Sequence, residues 1–322
     1  TCGIFLDLQK AFDTVNHKIL LHKLSHYGFR GIINNWLKSY LEDRKQKAII
    51  NGYESEVKTL KHGVPQGSVL GPILFLIYIN DFHKSIKFSS VYHFADDTNI
   101  LNISNNYKTL QKQMNLDLRF LHNWLLANKI SLNNDKTELI YFHKARSTIP
   151  SLKIKLNGKL LFHTNKIKYL GVYLDDTLNG KIHCEEVMKK LVRANGILSK
   201  LRHYVTKEQL KNVYYATFSS NMTYGSQIWG QASKLVSDKI SILQKKAVRI
   251  MTFSNFQAHS EPIFKEQNIL KFVDNNVLQN CLFDHDFLND KLPSTFDNTF
   301  VKMSSLHSIG TRNATKGCLT TP

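Results

Sequence analysis

Hydrophobic and polar residues repeat along this chain with two different periods. Apolar residues that recur every three to four positions predict helices, which fall at residues 15–28, 32–41, 73–80, 110–125, 187–201 and 240–251. Short apolar runs predict strands at residues 4–8, 137–142 and 169–174. Asn51 with Gly52, and Asn157 with Gly158, predict tight hairpin turns. Strands and helices are therefore mixed up to about residue 179, and basic helices follow.

Two apolar-rich runs within residues 91–101 flank the adjacent carboxylates Asp96 and Asp97. This pattern predicts a β-hairpin with both carboxylates at or beside its turn. Neighbouring side chains of a strand point to opposite faces, so only a tight bend brings both carboxylates to one volume. Their repulsion there costs free energy unless a cation is present, and hard divalent ions such as Mg²⁺ prefer oxygen ligands. Taken alone, the pair is more simply explained as a solvated acidic turn.

Length and charge narrow the class of protein. The 322 residues suffice for one large domain or two smaller ones, and the change in composition places a boundary near Asn179 and Gly180. Lys and Arg number 43 against 25 Asp and Glu, a formal net charge of +18. Such an excess favours a polyanionic partner, most simply nucleic acid. A basic soluble protein without such a partner is the alternative.

The spacing of the cysteines and the length of the apolar runs indicate in which cellular compartment the protein resides. The four cysteines are far apart and form neither a C-x-x-C pair nor a Cys/His knuckle, which favours a reducing compartment and argues against a zinc site. Residues 69–79 reach about half the length that spans a bilayer, and no secretory signal is present. We therefore predict a cytoplasmic or nuclear protein without membrane association. The chain opens without Met in a predicted strand, so we expect it to be a piece of a longer protein.

The order of these elements resembles the palm of reverse transcriptases, specifically those of non-long-terminal-repeat (non-LTR) retrotransposons of the LINE and jockey-like kind. The palm motifs match at residues 5–13, 63–72, 78–81 and 94–98. Residues 132–138 and 169–172 resemble the family's lysine-bearing loop and primer grip, and residues 224–230 and 243–249 resemble its thumb. The resemblance implies an α+β polymerase fold of the right-hand type. Its parts would be a palm of helices packed on an antiparallel sheet, a helical thumb-like region and an extension of uncertain fold, at residues 1–179, 180–260 and 261–322.

The resemblance also implies a function, RNA-directed DNA polymerase. The primer 3′-hydroxyl would attack the α-phosphate of a dNTP on an RNA template, with two Mg²⁺ ions stabilising the attacking and leaving oxygens. Mn²⁺ can substitute for Mg²⁺. By resemblance, the ligands of the two ions are the carboxylates of Asp7, Asp96 and Asp97 with the carbonyl of Leu8.

Three residues are implied in the nucleotide pocket. Phe12 stands where the family places an aromatic ring that clashes with a ribose 2′-hydroxyl, and ordinary core packing is its alternative role. Gln66 would line the pocket. Gly67 would let the backbone approach the nucleotide closely, because it has no Cβ.

Three further residues are implied around the primer terminus and the leaving group. Lys136 would protonate the departing pyrophosphate, or it is a plain surface lysine. Leu170 and Gly171 would support the primer terminus, or they belong to a strand with a close-packed glycine.

The predicted helix at residues 240–251 presents Lys245, Lys246 and Arg249 beside four apolar residues: Ile242, Leu243, Val248 and Ile250. One face of such a helix can pack while the other contacts nucleic-acid phosphates. A merely solvated charged face is the alternative.

Two rival functions share the predicted palm. An RNA-making RNA polymerase is disfavoured by the bulky Phe12 and by Phe94 and Ala95, rather than Gly, before the acidic pair. An inactive nucleic-acid-binding remnant is the other rival. Phe94 also departs from the family's more common Tyr. Since the resemblance places fingers and an endonuclease domain upstream, we expect little nucleotide addition and some aggregation from these residues alone.

Overall fold

The computed structural model describes residues 1–147, 151–231, 233–297, 300–302 and 319–320. The chain divides into two compact units, Thr1–Leu178 and Asn179–Pro322. The assignment of the first unit as a palm and the second as thumb and extension stays a prediction. Over the described residues, no helix is both long enough and apolar enough to cross a membrane.

The first unit mixes short strands with four longer helices among its described residues. Its strands are β1 (Cys2–Leu6), β2 (Lys45–Gln46), β3 (Ile49–Ile50), β4 (Tyr53–Glu54), β5 (Lys58–Thr59), β6 (Ser90–Phe94), β7 (Asp97–Asn102), β8 (Glu138–Tyr141), β9 (Lys155–Leu156), β10 (Lys159–Leu160), β11 (Lys166–Tyr169) and β12 (Val172–Asp175). Its helices are α1 (His17–His26), α2 (Ile32–Leu41), α3 (Leu70–Ile79) and α4 (Tyr107–Ala127), with a 3₁₀ turn at Phe82–Ser85. The α+β class predicted above is confirmed.

The central sheet of this unit has the strand order β6–β7–β1–β8 and is antiparallel throughout. β1 is an inner strand, and Cys2 and Ile4 are fully buried. The remaining strands pair in short antiparallel ribbons, β2 with β5, β3 with β4, β9 with β10 and β11 with β12. The hairpins predicted at Asn51–Gly52 and Asn157–Gly158 are confirmed as the β3–β4 and β9–β10 turns.

Helix α1 begins and ends where local chemistry predicts. The Asn16 side chain accepts a hydrogen bond from the Ile19 N–H at 3.2 Å and so caps α1. Gly28 adopts φ +94°, and the Phe29 N–H donates to the Leu24 carbonyl across it at 3.0 Å. This left-handed glycine ends the helix, as predicted. Leu24 is fully buried, and burying one such side chain contributes about 2 kcal/mol.

The second unit is mainly helical over its described residues. Its helices are α5 (Lys181–Leu201), α6 (Lys207–Val213), α7 (Ser220–Thr223), α8 (Ser226–Trp229), α9 (Lys234–Met251), α10 (Ser260–Glu266) and α11 (Phe272–Leu288), with a π-helical segment at Tyr214–Ser219 and a 3₁₀ turn at Ser294–Phe296. A two-stranded ribbon pairs β13 (Val301–Lys302) with β14 (Leu319–Thr320). The predicted helices at residues 187–201 and 240–251 are confirmed as parts of α5 and α9.

Candidate active site at one end of the central strands

Asp7 directly follows β1, the inner strand of the sheet. Its backbone carbonyl accepts a hydrogen bond from the Asn133 N–H at 2.8 Å, and the Gln9 N–H donates to the Ser131 carbonyl at 2.9 Å. These two bonds hold the segment after β1 against residues 131–133. The backbone that presents the Asp7 side chain is therefore fixed on that side.

Leu8, whose carbonyl is the predicted fourth ligand, pairs with Leu132 in an isolated antiparallel bridge. Since Asp7 and Gln9 make the two hydrogen bonds of this bridge, the N–H and C=O of Leu8 point to the opposite edge of the strand. β7 pairs with β1 along that edge. The backbone thus directs the Leu8 carbonyl toward the edge where Asp97 begins its strand.

A two-residue turn joins β6 to β7. Phe94 pairs with Asp97, so that Ala95 and Asp96 form the turn. Ala95 has φ +54°, the left-handed conformation that tight hairpin turns require and that residues other than glycine seldom adopt. Such a residue costs about 1–3 kcal/mol, which the pairing of the two strands must offset. The predicted hairpin, with both carboxylates at or beside its turn, is confirmed.

The strand register brings Asp7 to the same end of the sheet as this turn. Leu6 pairs with Thr98, so the next step along both strands sets Asp7 opposite Asp97. Burial raises the pKa of the Asp97 carboxyl, and the negative charges of Asp96 and Asp7 raise it further. The three acids are therefore close enough for their charges to repel.

The donor set at this strand end suits a divalent cation, because carboxylate oxygens are the ligands that Mg²⁺ and related ions prefer. The raised pKa of Asp97 also reflects negative charge that a cation would offset. Among the described residues, however, no three His, Cys, Asp or Glu side chains are arranged closely enough to hold a metal ion. The structure therefore shows an acidic strand end and not a closed metal cage.

Phe12 lies in the turn that follows Asp7. The Val64 N–H donates to its carbonyl at 2.9 Å, and its ring centroid lies 4.7 Å from that of Phe75. The side chain is half-buried and packs against the core. The packing role is thus observed, while a contact with the sugar stays a prediction.

The glycine-containing loop before α3, residues 63–69, places Gln66 beside this turn. The Gln66 Nε2 donates to Asp13 Oδ1 at 2.9 Å, and both residues are exposed. Gly67 adopts φ +81°, and a Cβ there would meet nothing within 4 Å, so its backbone conformation is a sufficient reason for glycine. The close approach occurs instead at Gly71, where a Cβ would lie 2.5 Å from the Pro65 carbonyl oxygen. Sequence reasoning gave Gly71 no role.

Leu170 and Gly171 form a hairpin turn, which corrects the continuous strand predicted at residues 169–174. Tyr169 pairs with Val172, and the two residues between them have φ +46° and +83°. Two consecutive positive φ values are typical of a type I′ turn. The alternative role proposed for these residues, a strand with a close-packed glycine, is therefore wrong. Their predicted support of a primer stays a prediction.

Tyr169 begins the predicted primer-grip segment, but sequence reasoning gave it no role of its own. Its ring makes an edge contact with Phe5 of β1, with centroids 5.3 Å apart. Burial raises the pKa of its phenol, the Asn99 side chain opposes the rise, and the charge of Asp97 adds to it. The β11–β12 hairpin therefore lies beside the acidic strand end. The aromatic residue directly before the turn was the available signal.

Lys136 is exposed in the turn that precedes β8. Its N–H donates to the Asn133 carbonyl at 3.2 Å, and Asn133 in turn is hydrogen-bonded to the backbone of Asp7. The turn that contains Lys136 is thus tied to the acidic strand end. Its general-acid role stays a prediction.

The three basic residues of α9 differ in their surroundings. Lys245 and Lys246 are exposed, whereas Arg249 is half-buried and its Nε donates to the Ala258 carbonyl at 2.8 Å. Ile242 is 63% exposed, so its predicted place on the packing face is wrong. Phosphate contact by all three cations stays a prediction. The observed role of Arg249 is to join α9 to the loop that follows it.

Comparison with known proteins identifies the family. A family model described as reverse transcriptase (RNA-dependent DNA polymerase) matches residues 1–174. The RNA-directed DNA polymerase from mobile element jockey of Drosophila melanogaster is 30% identical over 287 residues, covering 84% of this chain and 30% of that protein. The probable RNA-directed DNA polymerase from transposon BS of the same species is 28% identical and covers 83% of this chain and 30% of that protein.

The chain spans about 30% of the length of these two relatives. Among solved structures, apo telomerase from Candida tropicalis aligns with a TM-score of 0.43 and 15% identity, covering 78% of this chain and 42% of that one. The family model matches more than half of the chain, and members of this family generally use divalent metal ions. The chain therefore belongs to the reverse transcriptase (RNA-dependent DNA polymerase) family, among those of jockey-like non-LTR retrotransposons.

Proposed function

We propose that this chain contains the nucleotidyl-transfer site of an RNA-directed DNA polymerase. The observation that supports it best is the position of Asp7, Asp96 and Asp97 at one end of two paired strands, where burial and then the charges of Asp96 and Asp7 raise the pKa of Asp97. Membership of the reverse transcriptase family gives this acidic strand end its expected chemistry.

The reaction joins a primer 3′-oxygen to the α-phosphorus of a dNTP, and the bond to the pyrophosphate oxygen breaks. Two Mg²⁺ ions, or Mn²⁺ in their place, would stabilise the attacking and leaving oxygens. Asp7 and Asp97 would hold them from neighbouring strands, with Asp96 from the turn and the Leu8 carbonyl from the strand edge. The exposure of the strand end leaves room for substrate oxygens.

The residues around the acidic strand end would position the nucleotide. Gln66, held by Asp13, and the backbone at Gly67 would contact it, and the exposed part of Phe12 would meet the sugar. Lys136 would donate its proton to the leaving pyrophosphate, which requires a lysine that stays protonated until the transition state.

The primer and the RNA template would be held by two further surfaces. Leu170 and Gly171, at the tip of the hairpin anchored by Tyr169, would support the primer terminus. The exposed Lys245 and Lys246, with Arg249, would contact phosphates of the template–primer, in keeping with the net charge of +18.

Asp96→Asn tests the proposal, with Asp43→Asn as a matched control. Asp43 is an exposed acid of the same unit with φ +55°, a conformation that Asn also tolerates. The assay is magnesium-dependent extension of a DNA primer on an RNA template, run on this chain and on the reading frame that contains it. We expect Asp96→Asn to abolish extension while template binding persists, and Asp43→Asn to extend as the wild type does. Undiminished extension by Asp96→Asn would overturn the proposal.

A further inference from the structure

A second concentration of positive charge lies on the first unit, where α4 meets the β9–β10 hairpin. The two elements enclose an open groove of about 590 Å³. Its basic lining consists of Arg119 and His122 from the helix and Lys153 and Lys155 from the hairpin. Within the described part of the chain, no carboxylate lines this groove. The acidic strand end described above contributes none of its residues.

The helix contributes unbalanced charge along one side. Lys108, Lys112, Arg119 and His122 follow one another at intervals of four, seven and three residues, which keeps them on neighbouring positions of the helix surface. The only acid of α4, Asp117, is fully buried. It accepts hydrogen bonds from the Lys87 N–H at 2.9 Å and the Ser89 hydroxyl at 2.6 Å. Its carboxylate is therefore bonded inside the unit and does not face the surface cations of the helix.

The hairpin adds lysines without acids. Residues 151–163 contain Lys153, Lys155 and Lys159 and no Asp or Glu. Charge of one sign gathered on two packed elements repels itself, and it costs stability unless an anion offsets it. A solvated protein surface normally intersperses both signs.

Two polar side chains of α4 hold these lysines in place. The Gln111 Oε1 accepts from the Lys153 N–H at 2.8 Å, and the Asn115 Oδ1 accepts from the Lys155 N–H at 2.8 Å. The Asn115 Nδ2 also donates to the Lys153 carbonyl at 3.0 Å. Side chains of the helix therefore take the place of a neighbouring strand in bonding to the hairpin backbone. The backbone at both lysines is therefore fixed beside the groove, so only their side chains must be ordered when an anion binds.

The same hairpin exposes an aromatic ring beside the lysines. Lys155 pairs with Leu160, and the Leu161 N–H bonds to the Ile154 carbonyl at 2.9 Å. Ile154 and Leu161 are buried, so the alternate residues form the outer face of the hairpin. Phe162 belongs to that outer face and is 80% exposed. An exposed aromatic ring next to fixed cations is the combination that single-stranded nucleic-acid sites use.

We infer that this groove binds single-stranded nucleic acid, with phosphates on Arg119, Lys153 and Lys155 and an unpaired base stacked on Phe162. The inference does not rest on the polymerase site, since it needs neither metal nor nucleotide. An acidic peptide would satisfy the cations but gives no role to a flat, exposed ring. A double helix offers no unpaired base for that ring.

The first test measures how the affinity of the full chain for a 12-nucleotide oligo(U) RNA depends on salt. The variant R119Q/K153Q/K155Q is compared with K18Q/K45Q/K58Q, which removes three exposed lysines of the same unit. On single strands each phosphate contact contributes about 0.7 to the slope of log affinity against log salt, so the groove variant should lose about two from the slope. The control should keep the wild-type slope. Equal losses in the two variants would mean a diffuse electrostatic field and would overturn the inference.

The second test addresses the ring. Phe162→Ala should weaken oligo(U) binding about tenfold, because stacking of one base is worth about 1–3 kcal/mol, and it should leave the salt slope unchanged. Tyr53→Ala, which removes a ring that is 83% exposed elsewhere in the unit, is the control and should bind as the wild type does. If Phe162→Ala also binds normally, or if polyglutamate of equal charge displaces the RNA equally well, base stacking is refuted. Asp96→Asn should leave both measurements unchanged, which separates this inference from the proposed function.

Discussion

Replacing Gly71 by alanine should weaken the start of α3 and disturb the proposed nucleotide pocket. Gly71 is the second residue of that helix, and its N–H donates to the Ser68 hydroxyl at 2.9 Å. The same hydroxyl donates to the Pro65 carbonyl at 2.8 Å. The loop before the helix is thus folded directly onto the glycine.

The size of the effect follows from the space at Gly71. An added Cβ would lie 2.5 Å from the Pro65 oxygen, and real Cβ atoms essentially never approach closer than 3.0 Å. The loop or the helix must therefore move by about 0.5 Å, and such overpacking typically costs about 1–3 kcal/mol. Because Pro65 precedes Gln66, the displacement should also raise the KM for dNTP, by about tenfold.

Gly196→Ala is the matched control. Gly196 lies inside α5, and a Cβ there would meet nothing within 4 Å. That variant should gain about 1 kcal/mol from the higher helix propensity of alanine. Gly71 is also a helical glycine, so a loss of stability there beside a gain at Gly196 isolates the collision.

Hydrogen exchange followed by mass spectrometry can measure the two helices separately, because each peptide reports its own opening free energy. We expect faster exchange in α3 peptides of Gly71→Ala and slower exchange in α5 peptides of Gly196→Ala. If both variants exchanged more slowly by equal amounts, the predicted collision between a Cβ at Gly71 and the Pro65 oxygen would be refuted.

Three further predictions concern residues of the proposed site. Asp97→Asn should raise the free energy of unfolding at pH 7 by a few tenths of a kcal/mol, since exposure screens the repulsion it removes. The raised pKa penalises the charged carboxyl in the folded state, so urea titrations should show this gain vanish as pH falls through that pKa toward 3.8, and a constant gain would contradict it. Phe12→Val should raise the ratio of kcat/KM for ribonucleotides to kcat/KM for deoxynucleotides about tenfold or more. An unchanged ratio would mean that Phe12 has only a packing role. Replacing Lys245 and Lys246 by Gln should lower the salt slope of template binding by about 1–2 for every sequence alike, whereas an unchanged slope would indicate a solvated face.

Much of the first unit could be predicted from local patterns. The strand before Asp7, the helices at residues 32–41 and 110–125, and the hairpin around Asp96 follow from periodicity and turn chemistry. The position of the acidic pair was predictable because the two apolar-rich runs that form the strands leave only a short bend between them. What local patterns could not supply is register, which alone sets Asp7 opposite Asp97.

The missed features depend on contacts between distant residues. Residues 169–174 are mostly apolar and aromatic, as strands are, and only the positive φ at Leu170 and the pairing of Tyr169 with Val172 show that the segment turns back on itself. Gln244 in α9 is 1% exposed, and it bonds to Tyr214, Leu270 and Phe272 from other elements. A buried polar residue of this kind interrupts the row of apolar residues from which the buried face of a helix is predicted, and its role is visible only in its hydrogen bonds.

The helix at Phe272–Leu288 escaped prediction for a related reason. Val273 and Val277 are 52% and 57% exposed, while Asn275 and Asn276 are buried. Apolar residues therefore do not mark its buried side, and the 3.6-residue period is blurred. The sequence pattern weakens there although the helix is regular.

The central claim, that Asp7, Asp96 and Asp97 together bind divalent cations, is tested most directly by counting bound Mn²⁺. Electron paramagnetic resonance of the full chain titrated with Mn²⁺ in the presence of dTTP and template–primer reports free ions, and therefore bound ones, without requiring catalysis. We predict that Asp96→Asn and Asp7→Asn each lose bound Mn²⁺ relative to the wild type, whereas Asp43→Asn does not. The same number of ions bound with the same affinity in all four proteins would contradict the claim.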